Sequence, residues 1–338
     1  MDSADRTLLN EIQKQFPIEV HPYEILGIVA GITEENAFTR IQRLRREGII
    51  RRLGGVFDSR KLGYYSTLCA AKVPEEKISD LADLLNKIPG VTHNYIREHD
   101  YNVWFTLIAR SEEVAERIIQ RIRTELEISE VFSLPATRLF KINVNFDFSE
   151  EEDAQDDSLS SPESGEQGST NRGSSQPFDL TDADISLIQM IQGDLPDSPT
   201  PFTVLAEKLN WPVEKLISRA KDLLDAKVLR RFGAVLRHQK AGFVANSMGV
   251  WQVELDRAEE VGKIMAQFKE VSHCYQRPTL SDWPYNLFTM IHGKTMEDCD
   301  EIMKRISAAT GVTDYSMLFS TAELKKSSMQ YFLEEETF

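Results

Sequence analysis

The chain has 338 residues, 41% of them hydrophobic and 28% charged, a balance that reads as globular and excludes low-complexity and fibrous classes. A formal net charge of −15 argues against a nucleic-acid partner. Cys69, Cys274 and Cys299 have no paired spacing, so neither a zinc site nor a disulfide framework is expected, and no metal of the protein's own. No signal peptide or apolar run of spanning length is visible, which points to the cytoplasm and away from a membrane.

The chain repeats itself. Ala4-Asp5, Leu8 and Ile12-Gln13 recur as Ala183-Asp184, Leu187 and Ile191-Gln192, and Pro17 and Pro22 recur as Pro196 and Pro201, always 179 positions on. An internal repeat fixes the domain count, and each half is long enough for its own core. In the first half, residues 3–15 carry Leu8, Leu9 and Ile12 at helical spacing. Pro22 suits the first turn of a second helix that Gly31 ends, and Thr33 caps a third that stops at Gly48. Three short helices followed by a strand, a hairpin and a Gly-rich turn predict a winged helix-turn-helix over residues 1–64. Its third helix presents Arg40, Arg43, Arg45 and Arg46, as a DNA-reading helix or simply a solvated cationic face would. The matching helix of the second half, from Pro212 to about Lys227, mixes Glu214, Asp222 and Asp225 among its basic residues, which weakens the DNA alternative.

The turn segment is the most telling part of the repeat. Residues 51–64 read RRLGGVFDSRKLGY and residues 230–243 read RRFGAVLRHQKAGF. Arg51, Arg52 and Lys61 match Arg230, Arg231 and Lys240. Where the second copy has Arg237-His238, the first has Asp58-Ser59.

From Tyr65 the pattern is strand–helix–strand–strand–helix–strand, which predicts a ferredoxin-like βαββαβ domain over 65–148. The second half repeats both units, a winged helix-turn-helix over 179–243 and a ferredoxin-like domain over 244–338 that closes on a helix near 321–332. The fold class is therefore α+β, two tandem modules of the same build. Between them, residues 149–178 hold eight acids against Arg172 and almost no large apolar side chain, the composition of a disordered acidic linker. The second strand of each ferredoxin-like unit carries a shared triplet, His93, Tyr95 and Arg97 in one copy and His273, Tyr275 and Arg277 in the other. A strand's period of two puts each triplet on one face. Packing alone does not require His and Arg there. Arg forks carboxylates, His moves protons, and Tyr pairs an apolar ring with a hydroxyl.

A winged helix-turn-helix followed by a ferredoxin-like domain, with a turn reading RRLGGVFDSRKLGY, resembles the Lrp/AsnC family of amino-acid-responsive regulators. It departs from them after the second strand, where Arg97 and Arg277 stand near the position of their ligand-holding acidic turn. The unlike halves, Arg237-His238 and the His-x-Tyr-x-Arg strands are more similar to that family's enzyme branch, the siroheme decarboxylases, as a fusion of their two unlike subunits. The resemblance implies loss of CO₂ from the C12 and C18 acetates of siroheme, giving didecarboxysiroheme on the way to haem or haem d1. It implies siroheme as the partner, an internal pseudo-heterodimer of the two halves with further dimerisation an open matter, and no cofactor beyond the iron of the substrate. Arg51, Arg52, Tyr95, Arg97, Arg230, Arg231, Lys240, Tyr275 and Arg277 would then bind the polycarboxylate. His238, His93, His273 and Arg237 would form the catalytic set, His238 serving as proton donor or iron ligand. A DNA-binding regulator and a tetrapyrrole-sensing protein are the alternatives on the same fold.

Overall fold

The computed structural model describes residues 1–142, 177–236, 245–293 and 295–333. Its first half contains helices α1 (Ser3–Lys14), α2 (Pro22–Ala30) and α3 (Glu34–Arg46), then strand β1 (Ile50–Phe57). The ferredoxin-like unit follows as β2 (Tyr65–Ala71), α4 (Ile78–Lys87), β3 (Val91–Arg97), β4 (Val103–Ala109), α5 (Glu112–Glu125), β5 (Val131–Pro135) and β6 (Arg138–Ile142). The second half repeats it as α6 (Asp182–Ile191), α7 (Pro201–Lys208), α8 (Val213–Asp225), β7 (Leu229–Leu236), β8 (Ala245–Trp251), α9 (Ala258–Gln267), β9 (Val271–Gln276), β10 (Leu287–Gly293), α10 (Met296–Thr310) and β11 (Tyr315–Lys326).

The two halves do not fold side by side; they share their elements. No hairpin wing forms behind α3. Instead β1 pairs antiparallel with β7, Gly54 opposite Gly233, so each half contributes one strand to a common ribbon. The glycines are needed because the ribbon presses on the opposite half's first helix. A Cβ on Gly54 would stand 2.0 Å from the Gly193 carbonyl, and one on Gly233 2.5 Å from that of Ile12. Both helix-turn-helix units consequently bury one joint core, in which Leu8, Ile12 and Phe16 pack with Leu187, Phe202 and Phe232.

The other strands form one nine-stranded sheet in the order β5-β2-β4-β3-β11-β8-β10-β9-β6. Each half keeps the ferredoxin-like order, and the fourth strand of each crosses over. β5 pairs with its own β2, and the chain continues past Pro135 as β6 to pair with β9 of the other half. β11 does the same, its first part on β8 and its second on β3. This overturns the expected helix near 321–332: residues up to 326 are strand, and 327–332 run on to seat Tyr331 in the joint core. Thr-Ala-Glu-Leu-Lys-Lys has ample helix propensity, but pairing along β3 outweighs it.

Helices cover one face of the sheet, with a core under each half, and a further cluster fills the opposite, inner face. There Trp104, Leu134 and Tyr101 meet Trp283, Phe288 and Leu318. The three cysteines are buried and unpaired. Among the described residues no helix is long and apolar enough to cross a membrane. The linker 149–178 lies almost wholly outside the described residues; only Pro177 and Phe178 fall within them, where the Phe178 amide donates to the Lys61 carbonyl.

Candidate active site

Both His-Tyr-Arg triplets lie on the inner face, as period two requires. Tyr95 stands opposite Trp104 and Tyr275 opposite Phe288, both members of the inner cluster. Within each row the side chains stack in series. His93 and Tyr95 lie with ring centres 6.4 Å apart and nearly parallel, His273 and Tyr275 6.0 Å apart. The guanidinium of Arg97 sits 5.5 Å over Tyr95, and that of Arg277 4.9 Å over Tyr275. Each arginine also donates to a carbonyl of the other half's crossing strand, Arg97 to Leu318 at 2.7 Å and Arg277 to Leu134. Burial pulls both down to about 10, still charged at neutral pH. These arginines fix the seam between halves and form one end of each row.

The histidines form the other end, half-buried and neutral. Burial, then the charges of Lys326 and Arg51, lowers His93 to about 4. Burial, then His292 and Arg230, lowers His273 to about 3. His93 itself adds to that depression, so the two rows lie within electrostatic reach of each other. His93 Nδ1 lies 3.0 Å from the Thr92 hydroxyl. On the other row Ser272 joins two histidines, its Oγ 2.9 Å from His273 Nδ1 and 2.8 Å from His292 Nε2. His292, also neutral through burial to about 4, has Ile108 as its counterpart in the first half.

The basic residues of the ribbon divide into two kinds. Arg52 donates to the carbonyls of Gly55 and Gln192, and Arg231 to those of Ala234 and Gln13, the latter at 2.6 Å. Both therefore tie the ribbon to the opposite helix-turn-helix rather than standing ready for a ligand. Arg51 and Arg230 point their charge at the rows. Arg51 donates to the Lys326 carbonyl at 3.2 Å and perturbs His93 and Tyr95, while the exposed Arg230 perturbs His273 and Tyr275. Beside Arg51 a cleft of about 380 Å³ opens, lined also by Arg52, Gln192, Asp194 and Ser327. Arg237, His238 and Lys240 lie outside the described residues.

Two residues that repetition could not flag enter here, His292 and Lys326. Neither has a like residue in the other copy, so a search for repeated chemistry passes over both. For His292 the available signal was position, the inner side of a strand in register with the histidine rows, whereas Lys326 fell in a segment expected to be helix, which hid it. Other repeated residues prove structural. Asn102 and Asn286 each bracket a main-chain turn, accepting from the amides of Val73 and Val253 and donating back to their carbonyls at 2.8 Å. Asp5 and Asp184, both 1% exposed, hold Arg40 with Arg43 and Arg219 respectively. Arg45 pairs with Asp194 at 2.7 Å. The cations of α3 are thus largely engaged within the molecule.

Residues 5–51 and 184–230 match the siroheme decarboxylase NirDL-like HTH domain, and residues 61–141 and 240–325 match the AsnC-like ligand binding domain. A siroheme decarboxylase of Hydrogenobacter thermophilus is 39% identical over 97% of this chain and 95% of its own. The chain belongs to the siroheme decarboxylase family. It is a lyase, and it joins two halves that other members keep apart. The alpha subunit of the Desulfovibrio desulfuricans siroheme decarboxylase is 51% identical over 43% of this chain and 84% of its own, and the beta subunit of Methanosarcina barkeri 44% identical over 44% and 97%. The crystal structure of the siroheme decarboxylase NirDL in co-complex with an iron-uroporphyrin III analogue superposes with a TM-score of 0.71 at 34% identity, covering 98% of this chain and 95% of that one.

Proposed function

We propose that this siroheme decarboxylase binds siroheme across the inner face at the His-Tyr-Arg rows and removes CO₂ from the C12 and C18 acetates to give 12,18-didecarboxysiroheme, a precursor of haem or haem d1. The observation that carries this is the pairing of flat, stacked aromatic rows with inward-facing cations. A planar macrocycle stacks on the first, and its carboxylates need the second. Each loss breaks the bond between the acetate methylene and its carboxylate. The electron pair stays on the methylene carbon, delocalised into the ring, and one proton completes the methyl group. The step calls for a general acid near that carbon.

His238 is the proposed acid. Its counterpart in the first copy is Ser59, and the turn bearing Ser59 lies against the second half's row, since the neighbouring Arg60 perturbs Tyr275 and Arg277. His238 itself lies outside the described residues, so its assignment rests on the sequence alone; the described row next to Arg51 and Lys326 is His93-Tyr95-Arg97. There His93 is neutral and suited to ligate the substrate's iron or to relay a proton. Arg51 would hold a carboxylate on that side, and Arg237 and Lys240, outside the described residues, are carboxylate-binding candidates from the sequence alone. No cofactor is invoked beyond the iron that siroheme carries. Anaerobic incubation with siroheme, followed by mass analysis of the tetrapyrrole, tests the proposal: loss of one and then two CO₂ is expected, and unchanged siroheme refutes it. A DNA-binding role finds little support in α3 and α8, where Arg40, Arg43, Arg45 and Arg219 pair internally, and no sequence-specific duplex binding is expected at physiological salt.

A further inference from the structure

The two rows look equivalent until their neighbours in the sheet are compared. In the register of the crossing strands, Lys326 of β11 stands opposite His93, and Ile142 of β6 stands opposite His273. One residue earlier the copies agree: Lys325 opposite Asn94 caps the end of α4, donating to Ile88 at 3.0 Å, and Lys141 opposite Cys274 caps α9 through Phe268 at 2.8 Å. The crossing strands are therefore in matched register, and the divergence falls on the inner-facing position next to the histidine. Lys326 has a side chain only 15% exposed, its ammonium 3.7 Å from the half-exposed carboxylate of Glu323. A largely buried ammonium held by one long ion pair is strongly placed to accept a better anion.

We propose that Lys326 is a substrate-positioning residue, holding a carboxylate that siroheme keeps, and that it makes the His93 side of the inner face the occupied one. This rests on the decarboxylase reading above. The choice of a retained carboxylate follows from the chemistry. A carboxylate leaving as CO₂ loses its negative charge in the transition state, so an ammonium fixed against it stabilises the ground state more and slows the step. A cation is useful on the groups that stay. The His93 side then holds Lys326 and Arg51 together; the His273 side has Arg230 and, from the turn that carries Asp58, Arg60, but an apolar Ile142 at the position of Lys326, whose charge is also felt at His292. Lys326 comes from the second half and His93 from the first, so neither half carries this side alone.

The test uses the full chain and two ligands, siroheme for turnover and iron-uroporphyrin III for binding without the established reaction, followed by absorbance. Lys326→Met should weaken iron-uroporphyrin III binding and raise KM for siroheme by about tenfold or more, as for one lost charge-assisted contact. Turnover at saturation should stay within about threefold of wild type, because the lost contact is equal in ground and transition states. Lys326→Arg should restore affinity, and Ile142→Lys should change neither quantity. Unaltered affinity in Lys326→Met overturns the proposal. So does equal loss in Lys326→Met and Lys326→Arg, since charge would then be irrelevant, and so does a hundredfold fall in saturated turnover, since Lys326 would then act on the reacting group. A change in affinity on Ile142→Lys as large as that of Lys326→Met places the macrocycle on both sides and refutes it too. If wild type binds iron-uroporphyrin III in a Lys326-dependent way yet leaves siroheme intact, the decarboxylase reading fails and the anchoring assignment stands.

Discussion

The two halves agree and disagree in different places, and the difference sorts structure from chemistry. Away from the His-Tyr rows, many shared residues tie one half to the other or close a turn. Arg52 and Arg231 bind the opposite helix, Arg97 and Arg277 the opposite crossing strand, and Lys141 and Lys325 the opposite helix end. Two of the inner-face differences put an ionisable side chain beside a histidine in one half only: Lys326 against Ile142, His292 against Ile108. A pseudo-symmetric dimer needs the same fasteners twice, but a substrate that lies one way round needs its reactive groups once. Repetition in such a chain marks the fasteners and the paired His-Tyr rows alike, and broken repetition marks where one side is made different from the other.

The largest expected effect breaks the comparison at His238. His238→Ala should lower turnover by on the order of 10²–10⁴ at saturating siroheme, as loss of a general acid does. Ser59→Ala, the matched change in the other half, should be close to silent. Turnover at the wild-type rate in His238→Ala would remove this residue from the mechanism.

The shared fasteners should respond alike. Asp5 and Asp184 each close a capping box at the start of the first helix and hold arginines of the third. Burial alone would raise Asp5, but Arg40 and Arg43 overcome it, and Arg219 holds Asp184 down to about 2. Asp5→Ala and Asp184→Ala should each cost roughly 1–2 kcal/mol in denaturant unfolding, because each removes a capping-box acceptor and its charge-assisted bonds to part-exposed arginines. A large loss in one and none in the other would show that the helix-turn-helix units are not energetically matched.

Much of this was legible from residues alone. Helix caps, the strand order and both histidine rows follow from local rules, and the repeat doubled every signal. What escaped was the sharing between halves. A hairpin wing and a β1–β7 ribbon have the same local sequence, and only the contact across Gly54 and Gly233 separates them. Likewise 321–326 reads as helix until β3 is available to pair with it. Arg52, Arg97, Arg231 and Arg277 were expected at the ligand because their type suits carboxylates, yet their guanidiniums already serve main-chain carbonyls.

Acid should separate the site from the scaffold by pH. His93, His273 and His292 are lowered to about 4, 3 and 4, so below about 6.5 the unfolded chain takes up protons that the folded chain refuses. Their contribution is complete above that value and is lost as pH falls toward 4. Asp184, lowered to about 2, contributes above its unfolded value near 4 and loses that contribution only as pH falls further toward 2. Stability measured against pH should therefore decline in two stages. His273→Gln should shrink the first and leave the second, and a single decline below pH 4 would contradict the neutral assignment of the histidines.

The smallest effect is expected where the halves are joined covalently. Cutting within 149–178 leaves the β1–β7 ribbon, the β3–β11 and β6–β9 ladders and the joint helix-turn-helix core intact, each drawing on both halves. An interface made of main-chain ladders and a common core does not depend on a tether of polar residues, which serves mainly to raise the effective concentration of one half near the other. Separate alpha and beta subunits in relatives match the two halves of the chain without such a link. The cut protein should elute as one species in gel filtration and turn siroheme over at close to the intact rate. Two separated peaks, with activity lost on dilution, would mean that the shared sheet is held by the tether after all.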